Sequence, residues 1–144
     1  SFVKGKGSYL IAKNGKKYLD FASGIAVNSL GHCNSELIKA LHKQSKKIWH
    51  VSNAFQISEQ EELAKKLVKL TFADKVFFCN SGAESVETAI KTARAYHQIK
   101  RRKKKFKIIT IKGSFHGRTL ATISASGQKK SGRTRPFLDR ATTI

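Results

Sequence analysis

Residues 75–111 constrain the fold more than any other stretch of the chain. Lys75-Val76-Phe77-Phe78-Cys79 is a short apolar run, as expected of a strand buried on both faces. Asn80-Ser81-Gly82-Ala83-Glu84 follows, and Ser81 with Glu84 has the S-x-x-E spacing of a capping box. The helix it opens is predicted to run to about His97, with Ala83, Val86, Ile90, Ala93 and His97 on one side and an i,i+4 pair between Glu87 and Lys91. Phe106 to Ile111 supplies a second strand. Strand, helix and strand in that order make a βαβ unit, which places the chain in the α/β class with a parallel sheet and a right-handed crossover. Ligands in such sheets sit outside the carboxyl ends of the strands. Two loops leave those ends, Asn80 to Ala83 and Gly113 to Arg118, and if the strands are near neighbours the loops share one rim.

The first loop has the chemistry of an anion cradle. Backbone N–H groups at a helix N-terminus lack an intrahelical partner and sit at the positive end of the helix dipole. Gly82 lets a phosphate approach the main chain, and the Ser81 hydroxyl can cap the helix or bind the anion. The chain has neither a Walker A pattern nor GxGxxG, so nucleotide binding through those motifs is disfavoured. The second loop sets Phe115, His116 and Arg118 between glycines. Phe115 can lie against a planar ring, and Arg118 can grip a carboxylate with two parallel hydrogen bonds. Taken singly, each has a plain structural reading: a capped helix, a core aromatic, a surface arginine. The case rests on their convergence at one rim.

Upstream, Ser8 to Ala12 and Lys17 to Phe21 flank Asn14-Gly15, the signature of a hairpin with a type I′ turn. Gly24 to His32 reads as a loop. Asn34 or Ser35 caps a helix to about Trp49, with Leu37, Leu41, Gln44 and Ile48 on one face. Ser58-Glu59-Gln60-Glu61 is another capping box, opening a helix to about Leu70 whose buried stripe is Leu63, Leu67 and Leu70. Leu120 to Ser126 fits either a short helix or a strand. Lys100 to Lys107 is a solvated basic loop.

Composition narrows the function classes. No apolar run approaches the roughly 18 residues a membrane span needs, and no h-region follows a basic start. Cys33 and Cys79 lack CxxC spacing, so neither a disulfide framework nor a metal site is expected, and free thiols suit the cytosol. The first residue is Ser1 rather than Met, so residues upstream are expected. The 29 basic against 9 acidic residues give a net charge of +20, which invites a nucleic-acid reading. Against it stand the absence of a recognisable nucleic-acid motif and of aromatics within the basic run. Lys39, Lys43, Lys46, Lys47, Lys65, Lys66 and Lys69 lie on polar helix faces, where they need no ligand.

The two loops, at this separation, resemble those of the class III (ornithine-type) aminotransferases. Tyr18-Leu19-Asp20-Phe21-Ala22-Ser23-Gly24, continuing to His32, is similar to the family's N-terminal signature. Trp49-His50-Val51-Ser52-Asn53 and the run from Phe72 to Asn80 resemble its acetylornithine branch. The resemblance covers roughly Phe2 to Gln128 and implies a type I fold, pyridoxal 5′-phosphate (PLP) as cofactor and a homodimer with active sites at its interface. The reaction it implies moves the δ-amino group of N2-acetylornithine to 2-oxoglutarate, giving glutamate, in arginine biosynthesis. Carried over by position, Ser81, Gly82 and Ala83 would hold the PLP phosphate, Phe115 would stack on the ring, His116 would support it, and Arg118 would hold the substrate α-carboxylate. The family's cofactor-bearing lysine and its acidic partner for the pyridine nitrogen have no match here, so no catalytic residue is assigned and the 144 residues alone are expected to be inactive. The implied organisation is 1–50 as a hairpin and helix segment of the small domain and dimer interface, 51–130 as the start of the PLP-binding domain, and 131–144 as a tail unlike the family. Other members (ornithine, 4-aminobutyrate and succinylornithine aminotransferases) share these motifs, and a non-catalytic remnant is the remaining alternative.

Overall fold

A computed structural model describes residues 1–101, 105–127 and 142–143. The chain forms two compact units, Ser1–Lys66 and Leu67–Ile144.

The first unit begins with a three-stranded antiparallel sheet in the order β1-β2-β3, made of β1 (Phe2–Lys6), β2 (Tyr9–Ala12) and β3 (Lys17–Leu19). The expected hairpin is β2–β3, with Tyr9 opposite Leu19 and Ile11 opposite Lys17. Its turn is not type I′. Of the pair Asn14-Gly15 only Gly15 has a positive φ, at 81°. Gly15 N donates to Ala12 O and Ala12 N to Lys16 O, both at 2.9 Å, which makes a three-residue loop with glycine in the bulge position. Asn14 instead turns its side chain onto Lys16 N at 3.2 Å. β1 was not expected, because its FVKGK sequence lacks alternating apolarity. It pairs with β2 through a register shift between Phe2 and Lys4. Phe2 also meets Tyr18 edge to face at 5.5 Å.

The stretch expected as a loop contains α1 (Ser23–Ala26), a single turn with left-handed backbone. Ser23, Gly24, Ile25 and Ala26 have φ of 46°, 63°, 65° and 60°. Such a run costs roughly 1–2 kcal/mol per non-glycine residue, so its surroundings must hold it. Asp20 does so: Oδ1 accepts from Ala22 N and Ser23 N, both at 3.0 Å, and Oδ2 bonds His32 Nε2 at 2.8 Å. With the Asn28 amide donating to His32 Nδ1 at 2.8 Å, it is Nε2–H that points at Asp20. His32 N and Gly7 N exchange backbone bonds, which pins the far end of the segment to the sheet. The hydrogen bond from His32, followed by that from Ser23 N, holds the Asp20 carboxyl below its ordinary pKa of 3.8.

Asn34 is the cap of α2 (Ser35–Ser45), accepting from Glu36 N and Leu37 N. The helix ends four residues before Trp49, whose indole N–H bonds Ser45 O at 2.8 Å. α3 (Ser58–Leu70) starts at Ser58 itself, with Glu61 N bonded to Ile57 O, so Ser58 is the first helical residue rather than the cap. Neither helix has a buried residue, and Leu63 and Leu70 of the expected buried stripe are exposed. An apolar stripe is buried only when another layer covers it, and none does among the described residues.

The second unit keeps the helix of the βαβ expectation but not its sheet. Residues 75–79 pair with no strand and Phe77 is exposed, contrary to the buried strand expected there. Only β4 (Ile109–Thr110) forms in the second run, and it pairs in parallel with β5 (Thr142–Thr143), not with residues 75–79. A strand needs partners for its backbone N–H and C=O groups, and the described residues offer none to the first run. α4 (Gly82–Ile99) and α5 (Leu120–Ala125) complete the unit, so Leu120 to Ala125 resolves as helix. Among the described residues the buried ones are Thr110, Gly117, Thr122, Ala125 and Ser126. Apart from Thr142 and Thr143, the tail 131–144 lies outside the described residues, as do 102–104 of the basic loop.

Candidate functional site

The two loops do come together, although the strands before them do not pair. Ser81, Gly82, Ala83 and Val86 from the start of α4 face Phe115, His116, Gly117, Arg118 and Thr119 across an open cleft of about 660 Å³. A second, more apolar hollow of about 580 Å³ lies on another face of α4, between Phe77, Cys79 and His97.

Ser81 caps α4, its Oγ accepting from Glu84 N at 3.3 Å. The return half of the box is shifted by one residue: Glu84 Oε2 accepts from Asn80 N at 2.6 Å rather than from Ser81 N. That satisfies the amides of Asn80 and Glu84 and leaves those of Gly82 and Ala83 without a partner among the described residues. A side chain at Gly82 would meet no protein atom within 4 Å. Packing within the unit therefore does not demand glycine there; what it leaves is open space above two free N–H groups.

Gly117 is the opposite case. Its φ is 130°, and a Cβ there would sit 2.7 Å from Ala83 Cβ and 2.8 Å from Thr122 Oγ1. The Arg118 loop thus lies with its backbone directly against the first turn of α4, closer than any other residue permits. The loop is tied down at three further points. His116 N donates to Ser126 Oγ at 3.1 Å, Thr119 N to Thr122 Oγ1 at 2.9 Å, and Gly127 N to Ser114 O at 3.0 Å. Thr119 Oγ1 then reaches across to α4, donating to Glu87 Oε1 at 2.6 Å. Glu87 is accordingly not paired with Lys91 as its spacing predicts; among the described residues the ion pairs are His32–Asp20 and Lys39–Glu36.

Phe115 and Arg118 both remain exposed on the cleft, and Arg118 has no hydrogen-bond or ion-pair partner among the described residues. His116 turns Nε2 into a buried position with no partner among them. The structure therefore gathers Ser81, Gly82, Ala83, Phe115, His116 and Arg118 around one cleft. Sequence reasoning missed the residues that hold it: Glu87, Gly117, Thr119, Thr122 and Ser126. Gly117 carried a signal, being a second glycine within five residues, whereas buried threonine and serine on a six-residue helix carried none. The donor set suits a phosphate ester on a planar ring: two free amides and a hydroxyl at a helix N-terminus, an aromatic face and an unpaired guanidinium. PLP has that shape and charge, and these residues fit it.

The family described as "Aminotransferase class-III" matches residues 1–141. The chain is 58% identical over 129 residues to the acetylornithine aminotransferase of Agrobacterium fabrum, covering 90% of this chain and 32% of that protein. It superimposes with a TM-score of 0.92 on the adenosylmethionine-8-amino-7-oxononanoate aminotransferase of Methanocaldococcus jannaschii, at 37% identity, over 99% of this chain and 33% of that one. It also resembles the N-acetylornithine aminotransferase of Stenotrophomonas maltophilia, with a TM-score of 0.75 and 42% identity over 81% of this chain and 32% of that one. The chain spans about a third of the length of the relatives it matches. The fold is the corresponding part of the type I α/β fold expected from the sequence. The chain belongs to the class-III aminotransferase family.

Proposed function

We propose that the protein to which these residues belong is a PLP-dependent aminotransferase that moves the δ-amino group of N2-acetylornithine to 2-oxoglutarate. The amine carbon becomes an aldehyde and the keto carbon of 2-oxoglutarate becomes the amino carbon of glutamate, so no outside oxidant or reductant is required. The observation that carries the reading is one cleft with two free helix-terminal amides at Gly82 and Ala83, the Phe115 ring and an unpaired Arg118. In this reading Ser81, Gly82 and Ala83 bind the phosphate of PLP, and Phe115 packs on its ring. His116 supports the loop from behind, and Arg118 fixes the substrate α-carboxylate. When bound, PLP supplies the electron sink for the amino-group transfer. The residues described here bind and orient; the lysine that carries the cofactor is not among the assigned positions.

Residues 1–50 would then serve the small domain and a homodimer interface, a role suited to Phe21, Ile25 and Val27, which present exposed apolar side chains. Residues 51–130 would begin the PLP-binding domain. Two exposed free cysteines and no helix long and apolar enough to cross a membrane among the described residues favour the cytoplasm as its place of work. A substrate panel on the full-length protein tests the specificity. N-acetylornithine should exceed ornithine and 4-aminobutyrate in kcat/KM; a clear preference for either of the others would refute this choice within the family.

A further inference from the structure

We propose that Glu87 and Thr119 form a strut that fixes the spacing between the Gly82–Ala83 amides and Arg118, making both of them positioning residues for the carboxylate of the amino donor. The proposal rests on the cleft being the cofactor and substrate site. Glu87 lies half-buried in the second turn of α4, beside Val86, which lines the cleft. Thr119 follows Arg118 directly and stands at the cap position of α5. Their 2.6 Å bond joins segments 32 residues apart in sequence.

In this bond Thr119 Oγ1 donates and Glu87 Oε1 accepts. Thr122 Oγ1 accepts from Thr119 N at 2.9 Å, donates to Thr119 O at 3.0 Å and lies 2.9 Å from Thr119 Oγ1. Thr122 is fully buried. The Glu87 carboxylate therefore bonds a residue that Thr122, on the buried face of α5, holds through both its backbone and its side chain. With Gly117 pressed on Ala83, the backbone on the N-terminal side of Arg118 is held by contact and that on its C-terminal side by the strut. Glu87 is spent on Thr119, and Arg118 remains unpaired for a ligand.

The test uses the full-length holoenzyme. Thr119→Val keeps the volume but removes the hydroxyl, and Thr119→Ser restores it; Glu87→Ala removes the acceptor, and Glu87→Gln keeps an oxygen in place. Thr119→Val and Glu87→Ala should each raise KM for N-acetylornithine by roughly tenfold with a smaller change in kcat. They should also weaken, by a similar factor, the spectral shift of bound PLP when a non-reacting carboxylic acid analogue is titrated in. PLP affinity itself should stay within about threefold, and the double variant should be no worse than the poorer single, as expected of one shared bond. Ser and Gln variants should lie near wild type. The proposal fails if KM and analogue binding are unmoved in Thr119→Val, if Thr119→Ser is as impaired as the valine variant, or if the two losses add. Failure of the underlying reading shows separately, as a wild-type protein that neither binds PLP nor transfers an amino group.

Discussion

Two glycines in the cleft have opposite reasons to be glycine, and substitution separates them. An alanine methyl at Gly117 would enter space held by Ala83 and Thr122, with the backbone at a φ of 130°. Gly117→Ala should therefore cost about 1–3 kcal/mol of stability and displace the Arg118 loop. The same methyl at Gly82 meets nothing in the protein. Gly82→Ala should leave thermal stability unchanged or raise it by up to about 1 kcal/mol, since alanine favours helix. It should weaken PLP binding by roughly tenfold, because the methyl occupies the approach to the amides. Melting curves and cofactor titrations on the same pair of variants in the full-length protein check both halves. Equal stability loss in both would contradict the distinction. That the loops carrying Gly82, Phe115 and Arg118 meet at one rim was legible in the sequence, because each loop follows an apolar run and the first opens a capped helix. The residues that brace them were not, because Glu87, Thr119 and Thr122 act across gaps that no local pattern records.

Capping shows how far pattern reasoning reaches at the level of elements. Asn34 and Ser81 were legible as caps, whereas Ser58, with the same S-x-x-E spacing as Ser81, is the first residue inside its helix. The left-handed turn at 23–26 was invisible, since Ile25 and Ala26 are poor choices for positive φ and the side chains that brace the turn, Asp20 and His32, come from flanking segments. That device has a pH signature. Because the folded-state pKa of Asp20 is lowered from 3.8, its contribution is complete above the ordinary carboxylate range and is lost as pH falls through the folded value. Acidification below about pH 4 should release amide protection at Gly7, Ser23 and His32 before the β2–β3 hairpin opens, as read by hydrogen exchange. Asp20→Asn should flatten that acid step; an unchanged step in the variant would assign it to another group.

Across the whole molecule, the described residues bury little apolar surface: Ala125 is their one buried hydrophobic residue, while Phe21, Ile25, Trp49, Phe72 and Phe77 stand largely exposed. Sequence patterning read Leu63, Leu70 and Phe77 as buried and they are exposed, because a pattern reports which side of an element seeks cover and not what supplies it. What remains specific is the cleft, and a crystal structure of the full-length protein with PLP tests it most directly. Phosphate oxygens should lie within hydrogen-bond distance of the Gly82 and Ala83 amides, and the pyridine ring should lie against Phe115. PLP phosphate bound away from the start of α4, or a ring that leaves Phe115 untouched, would contradict it.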